Sequence, residues 1–162
     1  MRSTRRWPSQ GQRGKTTPSS WPWRFDMFEL TPLDQGFALE MDTSLENVDR
    51  CVDRIRIFLE DRDASEHLFP LSLLAREALN NAMIHGNRLD RTKTVLFRLQ
   101  AQADGFDLHI ADEGPGFAWD RHMQARSQAD DVSGRGHEIF RNYAKAARYN
   151  AKGNALTLEY RG

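Results

Sequence analysis

The sequence predicts an α+β fold, a two-layer sandwich with helices on one face of a mixed, mostly antiparallel sheet. Three observations carry this. Period-two alternation of apolar residues occurs in pairs of runs around short turns, within 25–42, 94–111 and 147–160. Between the first and second pairs, two stretches repeat apolar residues every three or four positions, as amphipathic helices do. At 162 residues, with no internal repeat, the chain has room for one domain and a sizeable core.

Taken in order, residues 1–24 are rich in Ser, Thr, Pro, Gly, Gln and Arg, with Trp7, Trp21 and Trp23 among few large apolar residues. Such a segment buries too little to offset its ordering entropy, so a disordered basic tail is expected, followed by one folded domain over 25–162. Phe25 to Thr31 and Gly36 to Asp42 read as strands around a Pro32-Leu33-Asp34-Gln35 turn, with Phe37, Leu39 and Met41 on one side. Ser44 is placed to cap a helix running to about Asp61, with Leu45, Val48, Val52, Ile55 and Leu59 toward the core. A polar connection, Asp61 to Ser65, leads to a second helix that begins near Pro70. Its apolar band is Leu71, Leu74, Ala75, Ala78, Leu79, Ala82 and Met83, and Gly86 suits a left-handed C-cap. Thr94 to Ala103 and Phe106 to Ala111 form a hairpin on Asp104-Gly105. From Asp112 to Ser133 the chain turns polar and glycine-punctuated, with a helical turn expected near Trp119 to Ala125. A helix resumes near Gly136 with Ile139, Phe140, Tyr143 and Ala144. A last hairpin, Ala147 to Ala151 and Asn154 to Tyr160, closes on Lys152-Gly153.

Charge narrows the function classes. Basic and acidic residues balance at 23 each, so no global field points to nucleic acid. Residues 1–25 hold six bases and no acid, which leaves the remainder mildly acidic. The single cysteine, Cys51, excludes an intrachain disulfide, fits a reducing cytosol, and lies on an apolar helix face where core filling is expected. No apolar run approaches the ~20 residues needed to span a bilayer, and no apolar segment follows the N-terminal arginines as in a secretory signal. A cytoplasmic domain with neither membrane nor direct nucleic-acid partners is expected.

Three short motifs carry candidate chemistry. Glu77, Asn81 and His85 fall at i, i+4 and i+8 of the second helix, where a carboxylate beside a carboxamide reads equally as a metal or phosphate site or as a solvated flank. His85 itself reads as a packing or capping residue. Asp112-Glu113-Gly114-Pro115-Gly116-Phe117 follows a strand directly. Its aspartate can accept a hydrogen bond from an exocyclic amine, and Gly114 and Gly116 let backbone approach a flat ring or phosphate; a plain turn fits as well. Gly134-Arg135-Gly136 precedes a helix, whose free N–H groups suit an anion.

The order of these motifs resembles the GHKL ATP-binding superfamily, the Bergerat fold of topoisomerases, heat-shock chaperones and histidine kinases, over roughly residues 37–160. Asn81 sits in its N box, Asp112 to Gly116 in its first glycine box, and Gly134-Arg135-Gly136 in its second. Within it the chain looks most like the bacterial anti-sigma factor serine kinases, given the Glu-Ala-x-x-Asn-Ala form of the N box and the small size. Neither a phosphoacceptor-histidine helix ahead of the N box, as a histidine kinase needs, nor a transducer domain after it is expected. The resemblance implies ATP and Mg²⁺ as cofactors, sequestration of a sigma factor, and phosphorylation of a serine on a STAS-domain anti-sigma antagonist. It also implies a homodimer. By the same carry-over Glu77 would be the general base and Asn81 would hold the Mg²⁺. Asp112 would read the adenine amine beside Gly114 and Gly116, Gly134 and Gly136 would let the lid close on the phosphates with Arg135 near them, and Thr157 would hydrogen-bond near adenine. His137-Glu138 depart from the apolar residues usual after the second glycine box. The alternative function is a regulatory module that binds nucleotide and partners without transferring phosphate.

Overall fold

The computed structural model describes residues 27–117 and 135–162. Their strands are β1 (Phe28–Leu33), β2 (Gly36–Asp42), β3 (Thr94–Gln102), β4 (Gly105–Asp112), β5 (Ala146–Tyr149) and β6 (Ala155–Arg161). The α-helices are α1 (Glu46–Glu60), α2 (Leu68–Asn80) and α3 (Arg135–Tyr143). The six strands make one sheet in the order β1-β2-β3-β4-β6-β5, and every pairing is antiparallel, so the expected mixed component is absent among them.

Alternation decides which face is covered. Phe37, Leu39 and Met41 of β2, Val95, Phe97 and Leu99 of β3, Phe106, Leu108 and Ile110 of β4, and Leu156, Leu158 and Tyr160 of β6 are buried on one side. Against them lie α1 and α2, with Phe140 of α3 completing the layer. The band expected on α2 is buried throughout, from Leu71 to Met83. Cys51 is fully buried, and that burial pushes its thiol well above its usual range, as an inert core residue requires.

The local differences have identifiable causes. The first turn is only Asp34-Gln35, because Leu33 pairs with Gly36 and Pro32 is accommodated on the edge strand, where no ladder N–H is needed. The β3–β4 turn is Ala103-Asp104, with Gly105 already paired to Gln102. On α1 the buried face runs through Val48, Cys51, Ile55, Phe58 and Leu59, while Leu45 is 46% exposed. Ser44 makes no side-chain cap. Instead the Asn47 amide donates to the Asp42 carboxylate at 2.5 Å and to its carbonyl at 3.2 Å, tying the helix start to the end of β2. The helical turn expected near Trp119 lies outside the described residues. No helix among the described residues is long and apolar enough to cross a membrane.

The end of α2 differs most. After Asn80 the chain winds as a π-turn, Asn81–Gly86, in which the Asn87 N–H reaches back to the Ala82 carbonyl at 2.8 Å. Gly86 is not left-handed; the chain reverses through Arg88 and Leu89, at φ of 56° and 57°. The i+4 register of Glu77 and Asn81 therefore does not continue to His85, which is exposed.

Leu79 is fully buried between α2 and the sheet. Leu79→Ala is expected to destabilise the protein by about 2–5 kcal/mol through lost burial and the cavity it leaves, measured by urea unfolding.

Candidate functional site

The site lies at the end of the sheet where β4 finishes and the π-turn passes. Glu77 occupies the last full turn of α2 and Asn81 opens the π-turn. Both are half-buried, and the Asn81 amide donates to Glu77 Oε1 at 3.2 Å. With one N–H of its amide on Glu77, Asn81 keeps its carbonyl oxygen as a ligand for a hard cation. Among the described residues no three His, Cys, Asp or Glu side chains gather as a metal cage. Mg²⁺ is commonly held by one or two protein oxygens together with phosphates and water, a mode that a single carboxamide oxygen suits.

The glycine loop is packed directly onto the π-turn. A Cβ on Gly86 would come within 2.4–2.6 Å of the Asp112 carboxylate, and one on Gly114 within 2.1 Å of the Gly86 carbonyl. Neither position admits a larger residue, so Gly86 serves close approach rather than the helix cap that its place in the sequence predicts. Asp112 is the last residue of β4. Its Oδ1 accepts the Gly114 N–H at 2.8 Å, and among the described residues no donor is bonded to Oδ2. Burial raises the Asp112 pKa, against the lowering effects of the Gly114 N–H and of Lys152 and Lys93. A half-buried carboxylate with one unbonded oxygen and a glycine-walled approach is suited to a neutral donor such as an aromatic amine.

Gly116, at φ of 77°, lies under the β5–β6 turn, where a Cβ would meet the Lys152 carbonyl at 1.9 Å. Phe117 packs edge-on against Tyr149 at 5.1 Å, fastening the loop to the same corner. Arg135 and Gly136 form the first turn of α3, which packs on α2 through the Phe69–Tyr143 ring contact; Gly134 lies outside the described residues. Glu138 is exposed.

Thr157 is not brought to this site. Leu156 and Leu158 point into the core, so Thr157 between them faces the open side of the sheet, where His109 Nδ1 lies 3.1 Å from its hydroxyl. It lines a shallow polar groove there with Arg98, Gln100, Gln102, Asp107 and His109. Two residues that sequence reasoning passed over do belong to the site. Asn87 is fully buried and its Oδ1 accepts the Glu113 N–H at 2.8 Å; Asn154 donates its amide to the Asp112 carbonyl at 2.9 Å. An asparagine after a helix-ending glycine, or in a turn, carries no sequence signal beyond a polar connection.

An antiparallel sheet covered on one face by helices, with a carboxylate–carboxamide pair at a helix end and a glycine loop against it, defines a nucleotide-binding α+β domain. Residues 42–160 match the family model of the histidine kinase-like ATPase domain, and the chain belongs to that family. Comparison with curated proteins gave no match. Membership makes this an ATP-binding domain.

Asp112→Asn preserves shape and the Gly114 contact but removes the charge. ATP affinity is expected to fall about 10- to 100-fold, the value of a charge-assisted hydrogen bond, by calorimetric titration. The ligand-free variant should melt about 1–4 °C higher at neutral pH, since a half-exposed carboxylate with a raised pKa costs the folded state modestly. The sign follows from proton binding: between the ordinary aspartate value and the raised one, the folded state holds more protons than the unfolded. Wild-type stability thus falls as pH rises through that window, a slope the variant should lack.

Proposed function

We propose that this domain is a protein serine kinase and anti-sigma factor. It would bind ATP with Mg²⁺, sequester a sigma factor, and phosphorylate a serine of a STAS-domain antagonist, in the cytoplasm and as a homodimer. The observation that carries the catalytic part is the Glu77–Asn81 contact, a carboxylate held against the residue best suited to the metal. A module that only binds nucleotide has no use for a proton acceptor there. Mg²⁺, when bound through Asn81 and the phosphates, would neutralise charge on the transferring group.

In the proposed step Glu77 takes the proton of the substrate serine as the hydroxyl oxygen bonds to the γ-phosphorus. The bond from that phosphorus to the β–γ bridging oxygen breaks, ADP leaves, and Glu77 returns its proton to solvent. Asp112, Gly114 and Gly116 hold the base end and fix the phosphates relative to Glu77, so most of the rate comes from positioning. Arg135 and Gly136, at the start of α3, would serve the phosphate lid together with Gly134, their neighbour in the sequence.

Glu77→Ala is expected to retain ATP affinity and to lower transfer of labelled phosphate to a STAS-domain serine by about 10²–10⁴. Binding of ATP and partner without label, in wild type and variant alike, would decide for a non-catalytic regulatory module. Asn81→Ala should weaken nucleotide binding in the presence of Mg²⁺ and remove its dependence on the cation. An unchanged Mg²⁺ titration would exclude Asn81 as the ligand.

A further inference from the structure

We propose that Asn87 and Asn154 act together as positioning residues for the Asp112 carboxylate, and thereby set the selectivity of the site for a purine bearing a 6-amino group. The inference rests on reading Asp112 as the residue that accepts the adenine amine.

The two side chains grip opposite ends of one peptide unit. The N–H of the Asp112–Glu113 peptide donates to Asn87 Oδ1 at 2.8 Å, and the carbonyl of the same peptide accepts from Asn154 Nδ2 at 2.9 Å. Rotation of that peptide about the Asp112 backbone breaks both bonds at once. The next N–H, of Gly114, donates to Asp112 Oδ1 at 2.8 Å, so the plane of the peptide and the direction of the carboxylate are linked.

Neither asparagine is itself loose. The Asn87 amide donates to Thr43 Oγ1 at 2.8 Å and to the Thr94 carbonyl at 2.9 Å, which anchors it to the ends of β2 and β3. Asn154 also accepts the Asp112 N–H on its own backbone carbonyl at 2.9 Å, and its side-chain oxygen accepts from the Asn150 amide at 2.9 Å. One jaw is thus built from the sheet and the π-turn, the other from the β5–β6 turn. A carboxylate set by rigid neighbours discriminates, because an analogue without the matching donor leaves the half-buried acceptor without its partner.

The test compares ATP with purine riboside triphosphate, which lacks the 6-amino group, as ligands of the full chain in calorimetric titrations. Wild type should prefer ATP. Asn87→Ala and Asn154→Ala should lose most of that preference, with the ATP Kd rising about tenfold and the analogue Kd changing less than about twofold. Ile55→Val, a truncation in the fully buried core face of α1, should lower the melting temperature and keep the ratio. Folded Asn87 and Asn154 variants that keep the wild-type ratio, or lose affinity for both nucleotides equally, overturn the proposal. If Asn87→Ala does not fold, Asn154→Ala decides. A wild type that binds both ligands equally removes Asp112 as the amine reader and the proposal with it, whereas a wild-type preference retained by both variants removes the asparagine pair alone.

Discussion

The Asn87 carboxamide has no surface open to solvent, yet it makes three hydrogen bonds that hold four separate stretches of chain together: its own turn, Thr43, Thr94 and Glu113. Burial of apolar surface is non-directional and sets only which face of each strand points inward. The ends of β2, β3 and β4 need directional bonds to come to a common level, and Asn87 supplies them. Glu113 reinforces the arrangement by accepting the Thr94 N–H at 2.6 Å. Leaving the buried Asn87 amide unpaired would cost about 1–3 kcal/mol, which makes the junction stiff.

The two ends of the sheet are built from different materials. At the end away from Asp112, Arg161 meets Asp104 and Asp107 at 3.1 and 2.9 Å, and also lies near Glu159, which pairs with Arg148. Beside them Phe37, Phe58, Phe106, Tyr160 and His67 form a run of ring contacts, with the His67 ring nitrogen 2.9 Å from the Tyr160 hydroxyl. That end is packed with large side chains and ion pairs. The site end is glycine and asparagine: the buried Asn87 holds the strand ends, and the glycines leave backbone open to the approach of a ligand.

Much of this was legible in the sequence, and the exceptions are instructive. The buried band of α2 is readable residue by residue because its spacing is regular and its partner surface is the sheet itself. On α1 the same reasoning included Leu45 and Val52 and passed over Phe58, because periodicity alone leaves the rotation of a helix free by one residue and aromatic packing with Phe37 chose the register. Asp112 and Gly114 meet Gly86 at the end of the π-turn that Asn81 opens, and Gly116 lies against Lys152; Thr157 faces the other side of the sheet, since the parity of β6 is fixed by Leu156 and Leu158. The roles of Gly86 and Asn87 were hidden because both depend on contacts with Asp112 and Glu113, far along the chain.

The π-turn has a consequence for how the molecule tolerates change in length. It accommodates one residue more than an α-helical turn would hold between Asn81 and Asn87. Removing a residue from this segment would allow ordinary helical winding and rotate everything beyond it by about 100°, carrying Gly86 off the carboxylate it was shaped to fit. Half-exposed loops usually absorb deletions, but here the surplus residue is what keeps the two halves of the site in phase. The segment is therefore as constrained in its number of residues as the core is in its volume.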